Sequence, residues 1–278
     1  MAMNKSHTRS ISLPSRSHPI TLQIEEQLNK IGTFEASSTS EAVSNGLCAL
    51  VELYKSMDDL LNLPQTLQTL IKNQNAKCVD EILECPVTLL DVCGITIDVM
   101  SQLKENIRDL QSSMRRRKGD LSVETCINKY RSFNKKMKKD AKKCIATLKK
   151  MDQAMEVSIL DVDQEVSSVI RLIKKVNACS ISALQHVLGF LSTSSKSKLN
   201  KWLFSRLIVN KQRVACESQQ ISLNELEVVE NSLSTKSATI QEDLEKLEAS
   251  IEGIERGLEC MTRSLIKSRT ILLNVVSC

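Results

Sequence analysis

The sequence predicts an all-α fold, an elongated bundle of long, mostly antiparallel helices, and three observations carry that expectation. Toward the C-terminus an apolar seam alternates in steps of four and three. One set of positions is Leu244, Ile251, Leu258, Leu265 and Leu272; the other is Ile240, Leu247, Ile254, Met261, Ser268 and Val275. Only Ser268 interrupts it, and such a spacing keeps one stripe of a helix against near-parallel neighbours turn after turn. Secondly, seven glycines and four prolines in 278 residues leave little to punctuate strands. Thirdly, aromatic residues make up 3% of the chain while hydrophobic residues reach 41%, which supplies a sizeable core without the residues that favour sheets.

In chain order, residues 1–20 form a serine-rich tail with Lys5, Arg9 and Arg16 and no acidic residue before Glu25. Its composition suits a solvated arm, and would also suit an organellar transit peptide. Within it, Arg9 stands three residues before Ser12 and Pro14 two after. That pattern fits a basophilic kinase, and the phosphorylated form would fit a phosphoserine-binding adaptor of the 14-3-3 type. Ser38 and Glu41 make a capping box for a helix whose stripe is Val43, Leu47, Leu50, Tyr54, Met57 and Leu61. Pro64 ends it by excluding Leu63 from helical geometry, and a short helix at 65–73 follows. A longer segment starts near Ala76. Pro86 should break or kink it before the face Leu90, Cys93, Ile97, Met100, Leu103, Ile107, Leu110 and Met114, and Gly119 should close it.

Asp120 or Ser122 then caps a helix with the stripe Val123, Ile127, Tyr130, Met137, Ala141, Cys144, Leu148, Met151 and Met155. A weak point is expected at 152–156, after which Ile159, Val162, Val166, Val169, Ile173 and Val176 continue toward Phe190. The serine-rich stretch 192–197 reads as an internal linker, and a helix carrying Trp202 and Phe204 resumes at 198–216. Ser222 and Glu225 offer a second capping box for one organising helix running from Leu223 to the end. Gly253 and Gly257 within it, flanked by charge, suit the close approach of two helices rather than a membrane dimer. Ile266, Ile271, Leu273 and Val276 lie outside the seam, so this end should be buried on more than one side, within the chain rather than in a dimeric zipper. The whole is one helical domain over 21–278 behind the tail.

Charge is polarised along the chain. Residues 114–150 hold 14 Lys or Arg against Asp120, Glu124 and Asp140, whereas 217–260 hold 11 acidic residues against Lys236, Lys246 and Arg256. One reading pairs a basic helix with an acidic one inside the bundle. The other makes Arg115, Arg116, Arg117, Lys135, Lys136, Lys138, Lys139, Lys142 and Lys143 an outward surface for an acidic partner or an acidic membrane surface. With only Tyr130 and Phe133 as nearby aromatics and no named nucleic-acid motif, specific nucleic-acid recognition is not expected.

Other chemistry finds no footing in the residues. The ten cysteines show no C-x-x-C pair, and His7, His18 and His186 are scattered, so reduced thiols are expected, with no disulfide framework, metal site or cofactor. There is no glycine-rich phosphate loop, G-x-S-x-G elbow or H-E-x-x-H, and no catalytic residue is assigned. No apolar run approaches the roughly 18 residues of a membrane span. A cytoplasmic protein, able to associate with membranes at their surface, is the expectation.

Five stretches together resemble the plant-specific BYPASS-like family: RSISLPSRSHP at 9–19, LLNLPQTLQTL at 60–70, LLDVCGITIDVM at 89–100, LQSSMRRRKGD at 110–120 and RSLIKSRTILLNVVS at 263–277. They occur in order from end to end. The resemblance implies a plant protein associated with root and shoot development, without established catalytic activity and without site residues to carry over. It also weighs against a transit peptide, because the tail itself belongs to the shared pattern. The combined expectation is a non-enzymatic helical interaction or regulatory protein, controlled through Ser12, with a peripheral acidic-lipid binder as the alternative.

Overall fold

The computed structural model describes residues 18–32, 39–72, 77–116, 120–160, 167–192 and 224–276. They form eight helices, with no strand among the described residues: α1 (Pro19–Gly32), α2 (Ser40–Leu61), α3 (Pro64–Lys72), α4 (Lys77–Arg115), α5 (Asp120–Leu160), α6 (Ser167–Ser192), α7 (Glu225–Thr235) and α8 (Ile240–Val276). The stripes predicted for α2 and α8 are the buried ones. Leu47, Leu50, Tyr54 and Met57 of α2 and the seam from Leu244 to Val275 of α8 all lie in the core.

Four helices make a ring in which α8 packs on α2 and α4, and α6 packs on the same two from the other side. α5 lies against α4 and α6, and α1 against α2 and α6. Each helix of the ring buries apolar side chains against at least two neighbouring helices. The α2–α8 pair runs parallel: Ser40 meets Ser250 with Oγ atoms 2.9 Å apart, and the Ser268 hydroxyl donates to Asp58 Oδ1 at 2.6 Å, both contacts spanning 210 residues. α4 runs antiparallel to α8, since Ser101 meets Glu255 while Arg115 meets Glu245. α6 runs antiparallel to α2. The Tyr54 and Ser180 hydroxyls share a hydrogen bond of 2.8 Å, while the Phe190 carbonyl at the end of α6 accepts from Asn224, beside the Glu225 that Ser40 contacts.

The glycine pair of α8 permits the close parallel approach. A methyl placed on Gly257 would stand 2.8 Å from Leu47 Cδ1 and 3.0 Å from its Cβ; one on Gly253 would stand 3.5 Å from Ser44 Oγ. Each fully buried Leu or Ile of the seam contributes about 1.5–3 kcal/mol, against about 0–1 kcal/mol for an exposed ion pair. The seam, not charge, therefore holds α8 in place.

Several boundaries differ from expectation. α4 passes through Pro86 unbroken. Proline there removes one N–H, and the burial of Ile82, Cys85 and Leu89 on either side outweighs that bond. α5 likewise continues through 152–156 to Leu160. The C-terminal segment is two helices, not one: Lys236 adopts φ 50° and closes α7, and the Ser237 and Thr239 hydroxyls lie 2.8 Å apart in the turn before α8. The caps sit one or two residues away from the expected serines. Thr39 accepts from the Ala42 N–H at the start of α2, and Asn224 from the Glu227 N–H at the start of α7. α1, which the sequence patterning did not single out, buries Ile24 completely. Of the four apolar residues outside the seam, Ile271 and Val276 pack partly against the core, whereas Ile266 and Leu273 are 51% and 36% exposed, so the end of α8 is less widely covered than expected. The expected linker beyond Ser192, the helix at 198–216 and the closing Gly119 lie outside the described residues.

Candidate functional site

The basic run of the sequence folds into α5, and the register of its buried stripe decides which cations face outward. Tyr130, Asn134, Met137, Ala141, Ile145 and Leu148 are buried at steps of four and three, which turns them toward α4 and α6. The opposite side carries Lys135, Lys136, Lys139 and Lys142, all exposed and with no ion pair among the described residues. Arg131 and Lys150 extend this face at either end.

The remaining expected members divide. Arg115, the last residue of α4, donates to Glu245 Oε1 of α8 at 2.9 Å. Arg116 follows it, exposed, and Arg117 lies outside the described residues. Lys138 is half-buried and reaches Glu230 Oε2 of α7 at 2.9 Å, where Asn134 Nδ2 also donates to Oε1 at 3.2 Å. Lys143 bonds Asp140 one turn back at 2.9 Å, and that hydrogen bond, with Lys136 and Lys139 close by, holds the Asp140 carboxyl below its ordinary range. Lys129, just outside the expected set, donates to Asp109 of α4 at 2.6 Å and is raised by that bond.

Glu230 of α7 is the member of the acidic segment that bonds α5, while the carboxylates along one side of α8 face α4: Arg108 Nε donates to Glu248 at 2.6 Å and its Nη2 to Glu252 at 3.3 Å, Gln111 donates to Glu248 at 3.1 Å, and Lys104 and Ser101 both reach Glu255. Burial pushes the Glu255 carboxyl up, but the hydrogen bonds from Lys104 and Ser101 together hold it below its usual value. The cations that pair with α8 are thus mostly Lys104 and Arg108 of α4, ahead of the 114–150 run expected to do so; of the expected basic surface, Arg115 pairs with Glu245 of α8 and Lys138 with Glu230 of α7. No signal in the sequence distinguishes the arginines and lysines of α4 from those of α5. The distinction comes from which helix α8 packs against.

No cluster of three or more His, Cys, Asp or Glu among the described residues could hold a metal ion. Burial lowers the pKa of His186. Burial also pushes the Cys85 thiol up to about 12 and the Cys93 and Cys179 thiols to about 11, which suppresses the thiolate. Cys48 is exposed, and Cys126, Cys144 and Cys260 are half-buried. No helix among the described residues is long and apolar enough to cross a membrane. Ser12 lies outside the described residues.

A family model described as Protein BPS1 matches residues 46–275, from the first turns of α2 to the end of α8. Neither a curated protein nor a solved structure matches the chain.

Proposed function

Because the chain belongs to the BYPASS-like plant family described as Protein BPS1, we propose that it is a non-enzymatic helical interaction protein of root and shoot development whose working surface is the outward basic face of α5. The observation that carries this reading is the unequal use of charge. Glu245, Glu248, Glu252 and Glu255 of α8 are engaged by α4, while Lys135, Lys136, Lys139 and Lys142 are exposed and form no ion pair among the described residues. A rigid helix held at its back by buried Tyr130, Met137 and Leu148 presents these cations at fixed heights to an acidic partner. The tail adds a second point of control, since phosphorylation of Ser12 would create a site for a phosphoserine-binding adaptor.

Affinity purification from plant tissue tests the reading, comparing the wild type with Ser12→Ala and with the combined Lys135→Glu, Lys136→Glu, Lys139→Glu and Lys142→Glu variant. Partners or membrane fractions lost on charge reversal support the α5 face, and partners lost only with Ser12→Ala place the interaction in the tail. An identical set from all three proteins sinks both.

A further inference from the structure

Building on the acidic-partner reading above, we infer that the occupant of the α5 face is an anionic lipid bilayer, on which the helix lies flat without inserting. Ten positions between residues 131 and 150 are exposed, and seven of them are Arg or Lys; the other three are Ser132, Ala146 and Thr147. This face therefore has no exposed apolar side chain larger than alanine, and its one carboxylate, Asp140, is partly exposed and bonded to Lys143. A protein partner of comparable strength would need a buried aromatic or aliphatic anchor at the centre of the contact, and lysine is depleted in such interfaces. Of the large exposed apolar side chains, Leu22, Ile71, Ile95, Ile266 and Leu273 lie on other helices, and Leu121 lies in the first turn of α5, ahead of this stretch.

Single-stranded nucleic acid would need stacking platforms. The aromatics of this helix are not available for that: Tyr130 is fully buried and Phe133 packs against the core. A bilayer requires neither anchor nor platform. Its headgroup charges are laterally mobile and adjust to a broad carpet of lysines, here about 30 Å long at 1.5 Å per residue. The lack of large apolar side chains on the 131–150 stretch also makes its attachment electrostatic and reversible by salt.

The test is co-sedimentation of the full chain with vesicles of phosphatidylcholine alone and with about 30 mol% phosphatidylserine. Binding is expected to the anionic vesicles only, and to fall more than about tenfold as salt rises from about 0.05 to about 0.5 M. Each lysine at an anionic surface strengthens binding about fivefold, so the four-residue charge reversal should weaken it more than about a hundredfold. The pair Lys135→Gln and Lys142→Gln, which adds no new charge, should weaken it about twenty-fold. Equal binding to uncharged vesicles, or unchanged binding by both variants, overturns the inference. Duplex RNA or DNA that binds more tightly at the same salt overturns it in favour of nucleic-acid phosphates. If vesicles fail to bind while charge reversal still strips partners in the purification above, the bilayer falls and the acidic-partner reading stands; if neither effect is seen, both fall.

Discussion

Two glycines one turn apart, both flanked by charge, behave differently once their neighbours are known. At Gly257 a β-carbon would meet the root of the Leu47 side chain, which cannot swing away, so Gly257→Ala should cost about 1–3 kcal/mol in urea unfolding. Gly253→Ala meets only Ser44 Oγ at ordinary contact distance and should be neutral, or stabilising by up to about 1 kcal/mol through helix propensity. The close approach was legible from the pair's setting among charges, but not which glycine the packing depends on. The thiols supply a prediction of their own. Cys85, Cys93 and Cys179 have folded pKa values raised above the ordinary 9.0, so the native state holds their protons more tightly than the unfolded chain. The stability this contributes is fully present below pH 9.0 and is lost as pH climbs through about 11 and 12. Maleimide labelling read by mass spectrometry at mildly alkaline pH should mark Cys48 and spare these three until the protein unfolds.

Among the helices, periodicity located the buried stripes but not every end. The division between α7 and α8 falls where Glu230 and Ser237 occupy seam positions, a weakness visible in the sequence. What stops the helix is the left-handed Lys236, which no periodicity reports. A non-glycine residue in that conformation costs about 1–2 kcal/mol. Lys236→Gly should therefore raise stability by up to about 1 kcal/mol in denaturant melts, while Lys236→Val should lower it. Pro86 is the opposite case, because a strong local breaker is overridden by burial along α4. Between α4 and α8, Lys104 and Glu255 are the most sheltered of the cross-helix ion pairs, at 18% and 12% side-chain exposure. Since the Glu255 pKa is lowered, its contribution is present above the ordinary 4.5 and disappears as pH falls through its folded value. Glu255→Gln should flatten the acid limb of a stability–pH curve, and Glu245→Gln, at the exposed end of the same ladder, should change it less.

Across the whole molecule, the ring of α2, α4, α6 and α8 is closed by buried aliphatic side chains, and α5 lies outside it with Lys135, Lys136, Lys139 and Lys142 turned to solvent. The four-lysine reversal on α5 should thus leave the thermal unfolding midpoint unchanged or slightly raised, since it relieves repulsion among like charges and breaks no ion pair within the described residues. That outcome also makes its effect on binding interpretable. The sequence by itself determined the all-α class, the stripes of α2, α4, α5 and α8 and the polarity of charge, because these follow from local composition and from a period of three to four residues. Only the tertiary structure decided that α2 and α8 run parallel across 210 residues of chain, that α4 and not α5 takes the carboxylates of α8, and that Ile266 and Leu273 face outward. Helical periodicity fixes which side of a helix is buried. It carries no information about which other helix, in which direction, will cover that side.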